Sequence, residues 1–180
     1  MIKKASSTNW LIVGLGNPGE EYAKTFHNTG MLFVLWLAKE GVWREEKRFY
    51  HLPFFEKAHL CLPKTYMNES GKSVAEAMKK FKIQPDKLIV AHDDSDLIVG
   101  NFKLQIGVGS AGHNGIRSIV QEIGSKDFYR LRIGVRPAEE APRLKAGDFV
   151  LKNIPKKIEK EIYREFTEAT EVISKLIEKE

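Results

Sequence analysis

The sequence of 180 residues has a single cysteine, Cys61. An intrachain disulfide is therefore excluded, and the leucines on either side of Cys61 mark it as a buried thiol rather than a reactive one. Long apolar runs are missing as well. The longest, Met31 to Ala38, is 8 residues, far short of the roughly 18 that a membrane-spanning helix needs. No apolar stretch of signal-peptide length precedes the first strand pattern, so the cytoplasm is the expected compartment. Charge of one sign is not in great excess. With 29 basic and 24 acidic residues the net charge is +5, which permits an anionic partner without requiring one. Gly-x-Ser-x-Gly is absent, so no nucleophile elbow is encoded. His27, His51, His59, His92 and His113 show no metal-ligand spacing, and no metal is expected. Repeats, linkers and low-complexity tracts are also lacking, and residues 1–180 read as one domain.

What is present is an alternation of short apolar runs and helical periodicities. Trp10 to Leu15 reads as a buried strand closed by Gly14, Gly16 and Pro18. A helix follows, capped by Asn28 and Thr29, with Met31, Leu32, Leu35, Trp36 and Ala38 on one face. His59 to Leu62 is a second strand. The next helix carries Val74, Ala77, Met78 and Phe81 at spacings of three and four and stops before Pro85. Lys87 to Ala91 is a strand that leads into His92, Asp93, Asp94, Ser95 and Asp96, so an acidic cluster is expected at a strand's C-terminal edge. Phe102 to Ile106 and Arg130 to Val135 are further strands. Between them lie a glycine-rich loop over 107–115 and a short helix over 116–123. Pro137 to Gly147 is polar and reads as a long loop. Ile158, Ile162, Phe166, Ala169, Ile173 and Ile177 recur on one face of a final helix. The fold class is α/β, a twisted, mostly parallel mixed sheet flanked by helices.

Two loops match G-x-G-x-x-G, Gly14 to Gly19 and Gly107 to Gly112. A dinucleotide cofactor is disfavoured at the first because Glu20 and Glu21 put two negative charges where a pyrophosphate would bind. No acidic residue closes a second strand about 20 residues later, as that fingerprint requires. No cofactor is expected. His27-Asn28, His113-Asn114, the Asp93 cluster, Asn17 and Asn68 all fall in loops or at element edges, where chemistry concentrates. Together they can activate water: a neutral imidazole takes a proton, a carboxylate fixes its tautomer, and amides hold carbonyls or developing negative charge. The acidic trio Asp93-Asp94-x-Asp96 could instead hold a divalent cation. The basic residues between 103 and 145 would bind phosphates if several line one side of the same pocket.

Five blocks in order carry a family resemblance. They are Trp10 to Gly30 with Gly-Asn17-Pro-Gly-Glu-Glu-Tyr22 and His27-Asn28, Pro63 to Gly71 with Tyr66-Met-Asn68, His92 to Leu97, Gly109 to Gly115, and Phe128 to Pro137. The chain resembles bacterial peptidyl-tRNA hydrolase from about residue 10 to the final helix. The resemblance implies an esterase that frees tRNA from prematurely released peptidyl-tRNA. It implies His27 as general base and Asp93 as its partner, with Asn17, Tyr22, Tyr66, Asn68, His113 and Asn114 contacting substrate. Lys103 and Arg130 are the expected phosphate contacts to an acceptor stem recognised by shape and backbone charge. The partner implied is peptidyl-tRNA through its acceptor stem and 3′ end, with no membrane, and the protein is expected to be a monomer. Phe26 stands where the family most often has arginine. Glu69 and Ser95 replace apolar residues, and Val108 and Ala111 thin the glycine-rich loop.

Two other readings compete. An RNA-binding module on the same fold would have lost catalysis, but the joint presence of His27, Asp93, Asn17, Asn68 and Asn114 argues against that loss. A nucleotide-cofactor oxidoreductase would bind a dinucleotide tightly.

Overall fold

Short apolar runs in the sequence become the interior strands of one sheet. In the computed structural model, described over residues 9–137 and 146–179, the strands are β1 (Trp10–Gly14), β2 (Arg44–Glu45), β3 (Phe49–Phe54), β4 (Ala58–Pro63), β5 (Leu88–Ile98), β6 (Phe102–Ile106) and β7 (Tyr129–Arg136). Their order is β2-β3-β4-β1-β5-β7-β6. Parallel pairing is confined to the four central strands β4, β1, β5 and β7. Both edges are antiparallel, β2 and β3 on one side and β6 on the other. The helices are α1 (Thr29–Ala38), α2 (Ser70–Phe81), α3 (Asn114–Ile123), α4 (Ala146–Phe149) and α5 (Lys156–Glu178).

Central strands of such a sheet are buried on both faces, which is why β1 and the start of β5 are apolar without alternation. Trp10 and Ile12 of β1, with Ile89 and Ala91 of β5, point into a core closed by Phe33 and Val34 of α1 and by Ile162, Phe166, Ala169 and Ile173 of α5. Leu11, Val13, Leu88 and Val90 point to the opposite face. There Val74, Ala77 and Met78 of α2 and Ile116 and Ile119 of α3 cover them. Cys61 is buried in β4, and burial pushes its thiol up, out of reactive range.

Several expectations are corrected. β5 does not end at Ala91: it continues through the acidic cluster to Ile98, with a register irregularity between Asp94 and Ile98 where it pairs β7. Asn28 holds the N-cap position of α1, but its side chain makes no capping bond, because its carboxamide is committed to Asn17. α3 begins at Asn114, before the expected start at residue 116. Gly147 lies in the helical turn α4, while residues 138–145 of the expected loop, like residues 1–8, lie outside the described residues. The β2–β3 edge was not legible. β2 is two exposed charged residues that pair only His51 and Tyr50, and β3 contains Pro53 beyond that pairing, a residue disfavoured inside a sheet because it cannot donate to a ladder. No described helix is long and apolar enough to cross a membrane.

Candidate active site

Close approach of α1 to the sheet sets the site. A Cβ on Gly14 would lie 2.4 Å from the Gly30 carbonyl oxygen, and a Cβ on Gly30 would lie 2.1 Å from that of Ala91. Only glycine permits this contact. It brings the 3-10 turn Phe26–Asn28, immediately before α1, against the C-terminal half of β5. The first G-x-G match therefore serves packing. Backbone bonds fix the turn further: His27 N–H donates to Val150 O at 2.7 Å and Phe26 N–H to Lys152 O at 3.1 Å.

His27 Nδ1–H then donates to Asp93 Oδ1 at 2.8 Å. That bond fixes the tautomer and leaves Nε2 as the basic nitrogen. No described residue bonds it, and the His27 ring lines a cavity of about 210 Å³. Burial disfavours the charged ring, but the Asp93 carboxylate outweighs it, so the His27 pKa is raised above the ordinary imidazole value. Asp93 is itself 4% exposed. Burial works against its charge, yet His113 and His27 outweigh burial and hold the carboxyl well below the usual carboxylate range.

His113 also belongs to this centre. Its Nε2–H donates to the same Asp93 Oδ1 at 3.0 Å, while its Nδ1 accepts the Ile116 N–H at 3.4 Å and caps α3. His27, Asp93 and His113 hold three potential ligand atoms within 4.8 Å of one another. A metal would need lone pairs on both nitrogens that face Asp93. The Ile116 bond places the His113 proton on Nε2, so the set is joined by hydrogen bonds and does not fit a cation as it stands. His92 donates through Nδ1 to the Asp93 carbonyl at 2.7 Å, and burial together with the neighbouring His113 pushes it down to about 3. Asp94 is taken out of the cation question too, since Oδ2 accepts from Arg132 Nε at 2.6 Å and Oδ1 from the Asp96 N–H at 2.8 Å.

The other expected residues are distributed as follows. Asn114 opens α3, is exposed and lines the cavity, and its Oδ1 accepts from Arg117. Asn17 is not part of the cavity wall, but it is bonded to both neighbouring loops. Its Oδ1 accepts the Met67 N–H at 2.8 Å, and the Asn28 carboxamide clamps its backbone, accepting from N–H at 2.8 Å and donating to the carbonyl at 2.9 Å. Asn68 and Tyr66 are exposed beside Met67, and Tyr22 is half-buried in the turn Glu20–Tyr22. Lys103 is exposed on the edge strand β6, opposite Arg132 of β7. Arg130 lies on β7, opposite Gln105 of β6. At 1% exposure, with Nη1 donating to Gly109 O at 2.5 Å and its guanidinium 5.0 Å over the Phe128 ring, it pins the glycine-rich loop.

Phe26, the departure beside His27, is buried with Val135, Phe149 and Val150, its ring 5.7 Å from that of Phe149 in edge-to-face contact. Sequence reasoning missed Val150 and Gly147 as cavity walls, because backbone and small side chains carry no chemical signature.

A family model for peptidyl-tRNA hydrolase matches residues 11–180. Among solved structures, peptidyl-tRNA hydrolase from Acinetobacter baumannii is similar at 35% identity and a TM-score of 0.84, covering 97% of this chain and 91% of that one. A peptidyl-tRNA hydrolase crystallised with N-propanol is similar at 36% identity and a TM-score of 0.79, over 91% and 85%.

Proposed function

The chain belongs to the peptidyl-tRNA hydrolase family, and on that premise we propose that its cavity cleaves the ester between a peptide's last carbonyl and the terminal ribose of tRNA, with His27 as general base. The observation that carries this reading is the 2.8 Å bond from His27 Nδ1–H to a buried Asp93, which leaves Nε2 basic at a cavity wall. Nε2 takes a proton from water as the oxygen attacks the ester carbon. The tetrahedral intermediate then expels the ribose 3′ oxygen, which takes that proton back from the imidazolium. Asp93 stays ionised throughout and stabilises the cation that forms.

Asn17 selects a blocked amino end. Its Oδ1 is occupied by the Met67 N–H, so what it offers substrate is an amide donor, which a peptide carbonyl accepts and a free α-ammonium, holding only donors, does not. Asn68 and Asn114 hold peptide carbonyls and the developing oxyanion, and Tyr22 and Tyr66 lie along the 3′ end. Lys103, exposed on β6, meets phosphates of the acceptor stem, giving an affinity that falls with salt.

The test mixes N-acetyl-aminoacyl-tRNA and unblocked aminoacyl-tRNA with the protein and with His27→Ala. Rapid release of the blocked species alone is expected. His27→Ala lowers kcat by roughly 10²-fold or more with tRNA binding retained. Binding without turnover by the unaltered protein would favour the RNA-binding module instead, and an undiminished rate in the variant removes His27 from its role.

A further inference from the structure

Asp93 offers one oxygen to two rings. The His27 Nδ1–H reaches Oδ1 at 2.8 Å and the His113 Nε2–H reaches it at 3.0 Å, with the rings 4.9 Å apart and tilted by 48°. His113 cannot easily leave this contact. Its backbone N–H donates to Ser110 O at 2.9 Å, its carbonyl accepts the Arg117 N–H at 3.0 Å, and the His92 ring stands 4.7 Å from its own. On another side Gly115 comes so close that a Cβ there would lie 3.2 Å from the His113 ring. The backbone thus presses a second donor onto the oxygen that orients the base.

We infer that His113 is a positioning residue that moderates the base strength of His27 through the carboxylate oxygen the two rings share, a role that rests on the reading of His27 as general base. Two donors on one acceptor compete, each drawing electron density that the other would use. Asp93 therefore stabilises the His27 imidazolium less than it would serving that ring alone. A more strongly held proton would keep His27 charged over more of the neutral range and make it slower to return the proton to the leaving ribose oxygen. Among the described residues, the other ionisable groups around the pair are His92, Asp94 and Asp96 of β5 and Arg130 and Arg132 of β7. Asp94 is bonded to Arg132 and Arg130 is turned to Gly109. His92 is buried, with its Nδ1 on the Asp93 carbonyl. Among the described residues Asp93 is thus the carboxylate that addresses His27, and His113 is the group that competes for it.

An NMR titration of the His27 ring, on the full chain without substrate, tests this in the unaltered protein and in His113→Phe, His113→Met and His113→Gln. His27 is expected to titrate at higher pH in the Phe and Met variants, which offer no donor. It returns towards its original position in the Gln variant, whose amide nitrogen stands in for Nε2. The ratio of kcat/KM at about pH 6 to that at about pH 8.5 should fall roughly threefold in the two apolar variants. An unchanged or lowered His27 titration in whichever apolar variant folds overturns the inference, since a ring that merely props the loop alters stability alone. A titration that moves while the rate profile does not would leave the coupling of the rings standing and strike instead at His27 as the base.

Discussion

His27, Asp93 and Asn17 show how the chemistry a single side chain can offer depends on what its second atom is doing. Nε2 is the nitrogen His27 has to offer because Nδ1 is engaged by Asp93, and the amide N–H is what Asn17 has to offer because its Oδ1 is engaged by Met67. Neither fact can be read from residue type. The pH dependence follows. The proposed general base must act unprotonated, and the His27 pKa is raised by Asp93 over the opposing effect of burial, so kcat/KM should climb with pH through a midpoint above 6.5, the ordinary imidazole value. Asp93→Asn removes the carboxylate and leaves the burial. The midpoint of the acidic limb should then drop below that of the unaltered protein, with kcat lowered roughly 100-fold or more from loss of tautomer control. A pH profile of kcat/KM for both proteins checks the sign, and a limb that stays in place would show that Asp93 does not act on His27. In the folded-state balance the sign is opposite. A raised His27 pKa contributes stability that is present below the ordinary imidazole value and is lost as pH rises through the folded-state value.

At the level of elements, the turn bearing His27 is sewn to the segment after α4. Phe26 N–H and His27 N–H donate to Lys152 and Val150, Ile154 N–H donates to Lys24 O at 2.8 Å, and Thr25 pairs with Asn153. The Phe26–Phe149 contact supplies the apolar side of the same seam. Phe149→Ala should cost on the order of 2–4 kcal/mol of local packing. Because the cluster is peripheral to the two large cores, the expected result is faster hydrogen exchange at the His27 amide and a roughly tenfold or greater loss of kcat/KM, with a smaller effect on Tm. Full exchange protection of that amide in the variant would contradict it. The helices with strong 3.6 periodicity and the apolar strands were legible because both report burial directly. The extension of β5 through His92–Ile98 was not: its side chains are polar, and what keeps them in a strand is pairing with β7 and the Arg132 bond to Asp94. The glycine-rich loop carries a strain that local sequence marks only faintly. Ala111 sits at φ 48°, a left-handed backbone that costs a non-glycine residue on the order of 1 kcal/mol.

For the whole molecule, Glu165 ties the long helix α5 to the far end of the sheet. It is 1% exposed, accepts from the Gly134 N–H at 2.9 Å and from the Gly100 N–H at 3.2 Å, and burial, outweighing those two donors, pushes it up to about 8. A carboxyl raised in the fold contributes stability that is full below its ordinary value and is lost as pH rises through the raised one. The Tm of the unaltered protein should therefore fall from about pH 6 to about pH 9, relative to Glu165→Gln, by on the order of 5 °C. Parallel melting curves would contradict the assignment. The amino-acid sequence by itself determined which stretches are buried, since apolar runs and helical spacing follow from the free energy of removing side chains from water. It also determined the inventory of imidazole, carboxylate and amide groups that the chemistry needs. The tertiary structure alone decided which of those groups meet. His27 and Asp93 lie 66 positions apart and are joined through glycines that let α1 touch β5, Arg130 is turned inward to a loop carbonyl, and His113 is aimed at the oxygen His27 already uses. Such pairings depend on how backbones from separate elements approach one another, and a one-dimensional pattern of residue types holds no record of that distance.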